Sequence, residues 1–410
     1  MKVLLSTQVY PPELQATAQM VRELAQDLSA RGHQVTVLTG FPHHNRGRLY
    51  EGYARRLRLT EQEGPVRVVR AWHMVSPSSA FSSRALVMLS QAVGQLLAGL
   101  LEEGHQAVVS FGPPLAGPLT ASALARRNGA ALLTVIYDIY PDIAVEMGAL
   151  RSRALIKALS SLEQLTYRAS DRLVVLSEGL RQRLLQKGVP REKTEVLPVW
   201  LSQEEIQPQG RINAWRQRMG IAPEMFVVLH AGTIGLVSGA QVLLQAASLL
   251  RRFGDMLFLF VGEGRLKPLL QRMAQEAGLG NVRFLPFQPR QWLSQMQACA
   301  DVSVLTLLAG RGQTSWPSKL LAYMAAQRPV VASVDADCDT ARTILASGSG
   351  LVVPPGQPQA LAQAILRLYR DAPLREEMGR RGRQYFLEHF ERRKATARFA
   401  ALIEELSRKR

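Results

Sequence analysis

Phe226-Val227-Val228-Leu229-His230-Ala231-Gly232-Thr233-Ile234-Gly235-Leu236-Val237-Ser238-Gly239 runs from an apolar, β-branched segment through a glycine-rich turn, and a helical pattern starts at Ala240. Phe226–His230 predicts a strand, and the strand–loop–helix order is the unit from which parallel α/β sheets are made. Three glycines let backbone N–H groups approach an anion closely, and the helix N-terminus adds partial positive charge. A tight turn with no ligand is the alternative. No Gly-Lys-Ser/Thr follows, so the loop is not a Walker motif, and its spacing is not the dinucleotide fingerprint.

The same alternation extends in both directions. Strands are predicted downstream at Leu257–Val261, Val282–Leu285, Val302–Leu305, Val330–Ser333 and Leu351–Val353. Upstream they fall at Val3–Ser6, Val35–Thr39, Val66–Ala71, Ala107–Ser110, Leu132–Tyr137 and Leu173–Leu176. Amphipathic stretches lie between them, such as Ala18, Val21, Leu24, Ala25 and Leu28, ended by Gly32. Continuous apolar strands alternating with helices imply parallel sheets covered on both faces, here two doubly wound, Rossmann-like domains. The 410-residue length suits two domains. The seam is expected after Val199-Trp200, where 202–224 lose the strand pattern; the domains are then 1–200 and 201–385. Arg380 to Arg410 reads as one long charged amphipathic segment.

Hydrophobic content of 47% with 20% charged residues excludes a disordered chain. Cys299 and Cys338 form no disulfide framework and match no metal spacing, which suits a reducing cytoplasm. Val3-Leu4-Leu5 is too short an apolar core for a signal peptide. Ala85–Leu101 is uncharged but spans only about 25 Å, short of the roughly 30 Å hydrocarbon layer. It predicts a buried or interfacial helix. Fifty Lys and Arg against 33 Asp and Glu give a net charge of +17. Such a field attracts anionic lipid, phosphorylated substrate or nucleic acid. The cations are scattered, with clusters at Arg46–Arg58 and Arg392–Lys394 and no interleaved aromatics, so nucleic acid is the last choice.

Ligands of open parallel sheets sit outside the carboxyl ends of the strands. The loops there supply the candidate residues. Gln313-Thr314-Ser315-Trp316-Pro317-Ser318-Lys319 offers Ser315 as an N-cap, Pro317 in the first turn and the Lys319 ammonium, a second anion site beside Gly232–Gly235. An ordinary capped helix with a solvated lysine is the alternative. Val261-Gly262-Glu263-Gly264 and Phe287-Gln288-Pro289 end neighbouring strands and can clamp a planar base, or be turns only. In the first half, Tyr10-Pro11-Pro12-Glu13 and Tyr137-Asp138-Ile139-Tyr140-Pro141-Asp142 place carboxylates at strand ends, where they orient hydroxyls, act as acid or base, or cap helices. His43-His44 has no partner at metal spacing, and Asp335-Ala336-Asp337 reads as a coincidental acidic loop.

Together these segments resemble the retaining glycosyltransferases of family 4, which have the GT-B fold. The similarity covers essentially the whole chain and is nearest to the branch of cell-surface polysaccharide assembly, fucosamine-transferring enzymes included. Its markers are Tyr10–Glu13, Arg31-Gly32-His33-Gln34-Val35-Thr36-Val37-Leu38-Thr39, Asp138–Asp142, His230–Gly235, Val261–Gly264 and Pro317–Ala326, continued by Pro329-Val330-Val331-Ala332-Ser333. The resemblance implies transfer of a sugar from a nucleoside diphosphate donor, with retention and no obligatory metal. It also implies a cleft between the domains and a last helix, about 386–410, crossing back to the first. Three departures stand out. The family's usual glutamates would fall at Thr314 and Ala322, its loop cations near Leu236 and Ser238, and its glycine at Gln15.

The resulting expectation is a metal-independent glycosyltransferase with no cofactor, using a nucleoside diphosphate sugar (a UDP-sugar first) and a lipid-linked or polysaccharide acceptor at the inner face of the plasma membrane. Glu13, Asp138, Asp142 and Lys319 are the expected catalytic residues, and Pro12, Gln15 and Tyr140 line the acceptor side. Gly232, Thr233, Ile234, Gly235, Gly262, Glu263, Gly264, Phe287, Gln288, Pro289, Ser315, Pro317, Ser318, Asp339 and Thr340 are the expected donor contacts. A sugar-nucleotide epimerase of the same fold and a non-catalytic scaffold are the alternatives, the latter because the glutamates are missing.

Overall fold

The computed structural model describes residues 1–410 except 14, 44–47, 54–55, 79–80, 113–114, 147, 149 and 313–317. The chain forms two compact units, one of Met1–Pro198 with Ala395–Arg410, the other of Val199–Lys394.

Unit 1 holds strands β1 (Lys2–Ser6), β2 (Gln34–Gly40), β3 (Arg58–Glu63), β4 (Val66–Ala71), β5 (Ala107–Phe111), β6 (Ala131–Ile136), β7 (Arg172–Val175) and β8 (Thr194–Val196). Their order in the sheet is β3-β4-β2-β1-β5-β6-β7-β8. All pairs are parallel except β3 with β4. The central strands are buried almost end to end, as their unbroken Val/Leu/Ile runs require. Strands β3 and β8 lie outside the twelve expected segments. β3 is an edge strand of sequence Arg-Leu-Thr-Glu-Gln-Glu, half-exposed and polar, and β8 has three residues. Neither carries the apolar run on which the prediction rested.

Unit 2 has β9 (Phe226–Ala231), β10 (Met256–Val261), β11 (Val282–Leu285), β12 (Val302–Thr306), β13 (Val330–Ser333) and β14 (Gly350–Val353), all parallel, in the order β11-β10-β9-β12-β13-β14. Alternate residues of β9 divide between two cores. Val227, Leu229 and Ala231 pack with the helix Lys319–Ala325 and Phe386. Phe226 and Val228 pack with the helices Gln241–Leu249 and Pro358–Arg370. Residues 202–224, expected as a connection, belong to this unit. Trp215 is fully buried and donates from Nε1 to Gln288 Oε1 at 3.1 Å. Arg216 is buried beside it and donates to the carbonyls of Cys299 and Ala222.

The C-terminal segment is two helices, Ala372–His389 and Arg392–Arg408, with Glu391 accepting from the Arg393 N–H at 2.8 Å between them. Phe386 and Phe390 belong to the core of unit 2. Past Lys394 the chain belongs to unit 1: Thr396 donates to Asp27, and His33 meets Glu404 at 3.0 Å. The helix Phe81–Gly99 covers β2 and β4 and leaves Leu86, Leu89, Val93 and Leu97 exposed. Among the described residues no helix is long and apolar enough to cross a membrane.

Candidate functional site

In unit 2 the strand order reverses its direction of growth between β9 and β12, the position where open α/β sheets form a ligand crevice. The two strands pair only at Val302–Val228 and Ser303–Leu229. Beyond that the Tyr323 hydroxyl sits between them. It accepts from Ala231 N–H at 3.0 Å and faces the carbonyls of Ala231 and Val304 at 3.2 and 3.3 Å. A phenol therefore replaces the missing ladder bonds and leaves the strand ends splayed.

The loop Gly232–Gly235 leaves β9 at this point and is locked to the loop after β10. Gly232 N–H donates to Val261 O and Ile234 N–H to Glu263 O, both at 2.9 Å, and Leu266 N–H returns to Ile234 O at 3.1 Å. Contact is so close that a Cβ on Gly262 would stand 2.0 Å from Gly232 O, and one on Gly264 2.3 Å from Ile234 O. Gly262 and Gly264 are thus required by loop-on-loop packing. Two of the amides expected to face an anion are spent within the protein, and the Ile234 side chain lies in the core. Thr233 and Gly235 keep N–H groups that meet no backbone acceptor among the described residues. The other end of the loop is fastened to β12 by Thr306 Oγ1 donating to Ser238 O at 2.6 Å and Leu308 N–H to Val237 O at 3.2 Å.

Lys319 opens the helix Lys319–Ala325, and its ammonium lies beside this loop: a Cβ on Gly232 would be 3.5 Å from Nζ. Burial lowers its pKa to about 8, and no carboxylate of the described residues offsets the charge. Burial and, second, the Lys319 charge push His230 well below its ordinary value, so its ring is neutral. His230 Nδ1 faces Val304 O at 3.3 Å, and its buried Nε2 has no partner. Among the described residues, a cation without a carboxylate partner and two amides without backbone acceptors thus meet at the switch point, a chemistry suited to an anion.

The other expected donor contacts spread around it. Glu263 is bonded to Lys267 at 2.7 Å, and that ammonium also donates to the carbonyls of Gly262 and Leu285, joining the ends of β10 and β11. Phe287 is 55% exposed after β11, with Pro289 exposed beside it. Gln288 is held by Trp215. Asp339 pairs with Arg342 at 2.8 Å, and Thr340 is fully buried. Ser318 is exposed and makes no capping bond. Ser315 and Pro317, with Thr314, lie outside the described residues. Ala322 packs against the core.

In unit 1, Tyr10–Glu13 is a turn with a cis Pro11–Pro12 bond, closed by Glu13 N–H to Tyr10 O at 3.3 Å. Arg70 holds it, donating to Pro11 O and to Glu61, with its guanidinium over the rings of Tyr10 and Tyr53. Glu13 is buried and accepts from His43 N–H at 3.2 Å; Pro12 is exposed, and Gln15 Nε2 is buried without a partner among the described residues. At the end of β6, burial raises the Asp138 pKa. Tyr140 is half-buried before a cis bond to Pro141. Asp142, expected as a catalytic carboxylate or a cap, starts the helix Asp142–Glu146. Lys187 Nζ contacts it at 2.8 Å and Arg183 at 3.6 Å, within a network that includes Glu163 and Glu146. Among the described residues no three His, Cys, Asp or Glu gather as metal ligands.

Tyr323 and His230 lie within the family markers but were not among the expected contacts, and Lys267 and Arg70 were not singled out by sequence. Tyr323 follows Lys319 by four residues, as Lys267 follows Glu263, so helical spacing was the available signal.

Residues 16–200 match a family described as glycosyl transferase 4-like domain, and residues 225–371 one described as glycosyl transferases group 1. The putative colanic acid biosynthesis glycosyl transferase WcaI of Escherichia coli (strain K12) is 24% identical over 89% of this chain and 91% of its own. Sucrose-phosphate synthase from Thermosynechococcus elongatus superposes with a TM-score of 0.74 at 18% identity, over 100% of both chains. HepE from Anabaena, solved in complex with UDP, gives 0.69 at 15%, over 99% of this chain and 100% of that one. With both halves matched and both sheets of the same kind, the chain belongs to the family 4-like, group 1 glycosyltransferases of the GT-B fold.

Proposed function

We propose that the protein transfers a sugar from a nucleoside diphosphate donor, a UDP-sugar first, to a lipid-linked or polysaccharide acceptor, with retention and without a resident metal ion or cofactor. The observation that carries this is the Lys319 ammonium beside Gly232 at the β9–β12 switch point, with no carboxylate partner among the described residues. In this reading Lys319 and the N–H groups of Thr233 and Gly235 take up the charge that develops on the departing diphosphate. The exposed Phe287 ring offers a face for a base. Glu13 and Asp138 serve the acceptor and the transferred sugar, and Asp142, held by Lys187, positions the segment before it. The UDP in the HepE structure and the colanic acid named for WcaI support the choice of donor and acceptor class. Calorimetric titration with UDP, GDP, ADP and dTDP tests it: saturable binding of one is expected, and binding of none overturns it in favour of a scaffold. An epimerase would convert the donor with no acceptor present.

The place of action proposed is the inner face of the plasma membrane. Leu86, Leu89, Val93, Leu97 and Leu101 are exposed at steps of three and four, one apolar face running along the helix Phe81–Gly99 and just past its end. Co-sedimentation with anionic liposomes at low salt is expected, and Val93→Asp with Leu97→Asp should abolish it. Protein that stays in the supernatant at low salt refutes the membrane contact.

A further inference from the structure

At the amino ends of the unit 2 strands, on the opposite edge of the sheet from the Lys319 loops, lies a cavity of about 250 Å³. Asp301 and Pro329, which immediately precede β12 and β13, form its floor. Four guanidinium groups line it: Arg211, Arg328, Arg375 and Arg380. Asp301 and Glu376 line it as well, and Glu377 pairs with Arg380 at 2.5 Å. Asp301 is already engaged: Oδ2 accepts from Val227 N–H at 2.9 Å, and Oδ1 lies 3.6 Å from the Arg211 guanidinium.

Arg216, buried in the same unit, has carbonyl acceptors on both of its terminal nitrogens, although its Nε likewise lacks a partner among the described residues. Half-buried Arg328 has fewer acceptors. Its Nη2 donates once, to Gln209 O at 2.6 Å, and its buried Nε has no acceptor. Arg375 donates to Leu368 O at 2.6 Å and lies over the Phe226 ring. Among the described residues neither has a carboxylate within ion-pair distance. Asp301 offsets part of the Arg328 charge from beyond ion-pair distance, burial still disfavours that charge, and arginine does not relieve the remainder by losing a proton.

The backbone points the same way. Gln327 is the one non-glycine residue with positive φ among the described residues, at 59°, and it borders the cavity. It closes the helix Lys319–Ala325 in a position glycine occupies more readily. A Cβ on Gly379 would stand 2.4 Å from Gln327 O, which fixes the turn against the helix that carries Arg375 and Arg380. A glutamine there supplies an amide to the cavity that glycine would not.

We propose that this cavity is an anion site for a phosphate dianion, free or as the phosphoryl group of a small metabolite, separate from the donor site. Planar guanidinium forks suit phosphate oxygens, and the unsatisfied Arg328 Nε–H gains its acceptor on binding. A volume of about 250 Å³ equals that of roughly eight waters, enough for a phosphate with a small substituent.

The test is calorimetric titration of the full chain with inorganic phosphate and with glucose 6-phosphate, in wild type and in Lys319→Ala, which removes the donor-side cation. Saturable binding that persists in Lys319→Ala is expected, and the tighter of the two titrants tells free phosphate from a phosphoryl group. Arg328→Gln and Arg375→Gln should each weaken it by about tenfold or more. Arg380→Glu, at an exposed position on the rim where the guanidinium also pairs with Glu377, should do the same and decides the matter if the half-buried variants fold poorly. Absence of binding in wild type, loss of binding in Lys319→Ala, or binding indifferent to Arg380→Glu overturns the proposal.

Discussion

Replacing Lys319 by methionine keeps the length of the side chain and removes its charge, and the two consequences have opposite signs. Burial lowers the Lys319 pKa from 10.5 to about 8. At 1.36 kcal/mol per unit this is about 3 kcal/mol, and the residue is only half-buried, so about 1–3 kcal/mol is the penalty the charge imposes on the unliganded fold. The folded chain releases this proton more readily than the unfolded chain. The penalty is therefore complete below pH 8 and relieved as pH rises from about 8 towards 10.5. Urea denaturation without ligand should show Lys319→Met to be the more stable protein at pH 7, with the gap closing over that window. Against a diphosphate the same ammonium contributes a charge-assisted bond of about 1.5–3 kcal/mol, so UDP should bind about 10- to 150-fold more weakly at pH 7. A variant less stable than wild type at pH 7 that still binds UDP normally would refute both the placement of the charge and its role.

Other perturbations address the scaffold and the chemistry. Lys319→Ala should lower turnover by about tenfold or more in a transfer assay, with near-normal turnover ruling out a role for the cation. Gly262→Ala forces a Cβ to within 2.0 Å of Gly232 O and should cost about 2 kcal/mol or more in urea denaturation while abolishing nucleotide binding. Tyr323→Phe leaves Ala231 N–H without its acceptor and should cost about 1–2 kcal/mol. Burial raises the Asp138 pKa, so the ionised carboxylate weakens the fold above that pKa and the penalty vanishes as pH falls below the ordinary value of 3.8. Asp138→Asn should melt higher than wild type at pH 7, the gap closing on acidification, and turn over about a hundredfold more slowly; unchanged turnover would remove Asp138 from the chemistry.

Strands announced by unbroken apolar runs, Val3–Ser6 or Phe226–His230, were legible because burial on both faces leaves polar residues no place. β3 was not, since a half-exposed edge strand carries the composition of a loop. The glycine loop after β9 was visible, but not the division of its amides. That division depends on Gly262 and Gly264, thirty residues away, allowing an approach close enough for the Val261 and Glu263 carbonyls to take the Gly232 and Ile234 donors. Asp138 and Asp142 look equivalent in sequence. Only tertiary structure brings Lys187 to one and leaves the other without a salt bridge. Lys319 was chosen for its charge, while its lack of a counter-ion is a property of the space around it.

The ends of the chain set an order of events during synthesis. Unit 1 is contributed by Met1–Pro198 and Ala395–Arg410, so its last helix leaves the ribosome after the whole of Val199–Lys394. At translation rates of about 5–20 residues per second that delay is roughly 10–40 s. During it, the surface later covered by Phe399, Leu402 and Ile403 has no partner, while unit 2, closed by Phe386 and Phe390, is complete first. The nascent protein thus passes through a stage in which the half made first is the half still unfinished, and a stop codon just before Ala395 would make that stage permanent.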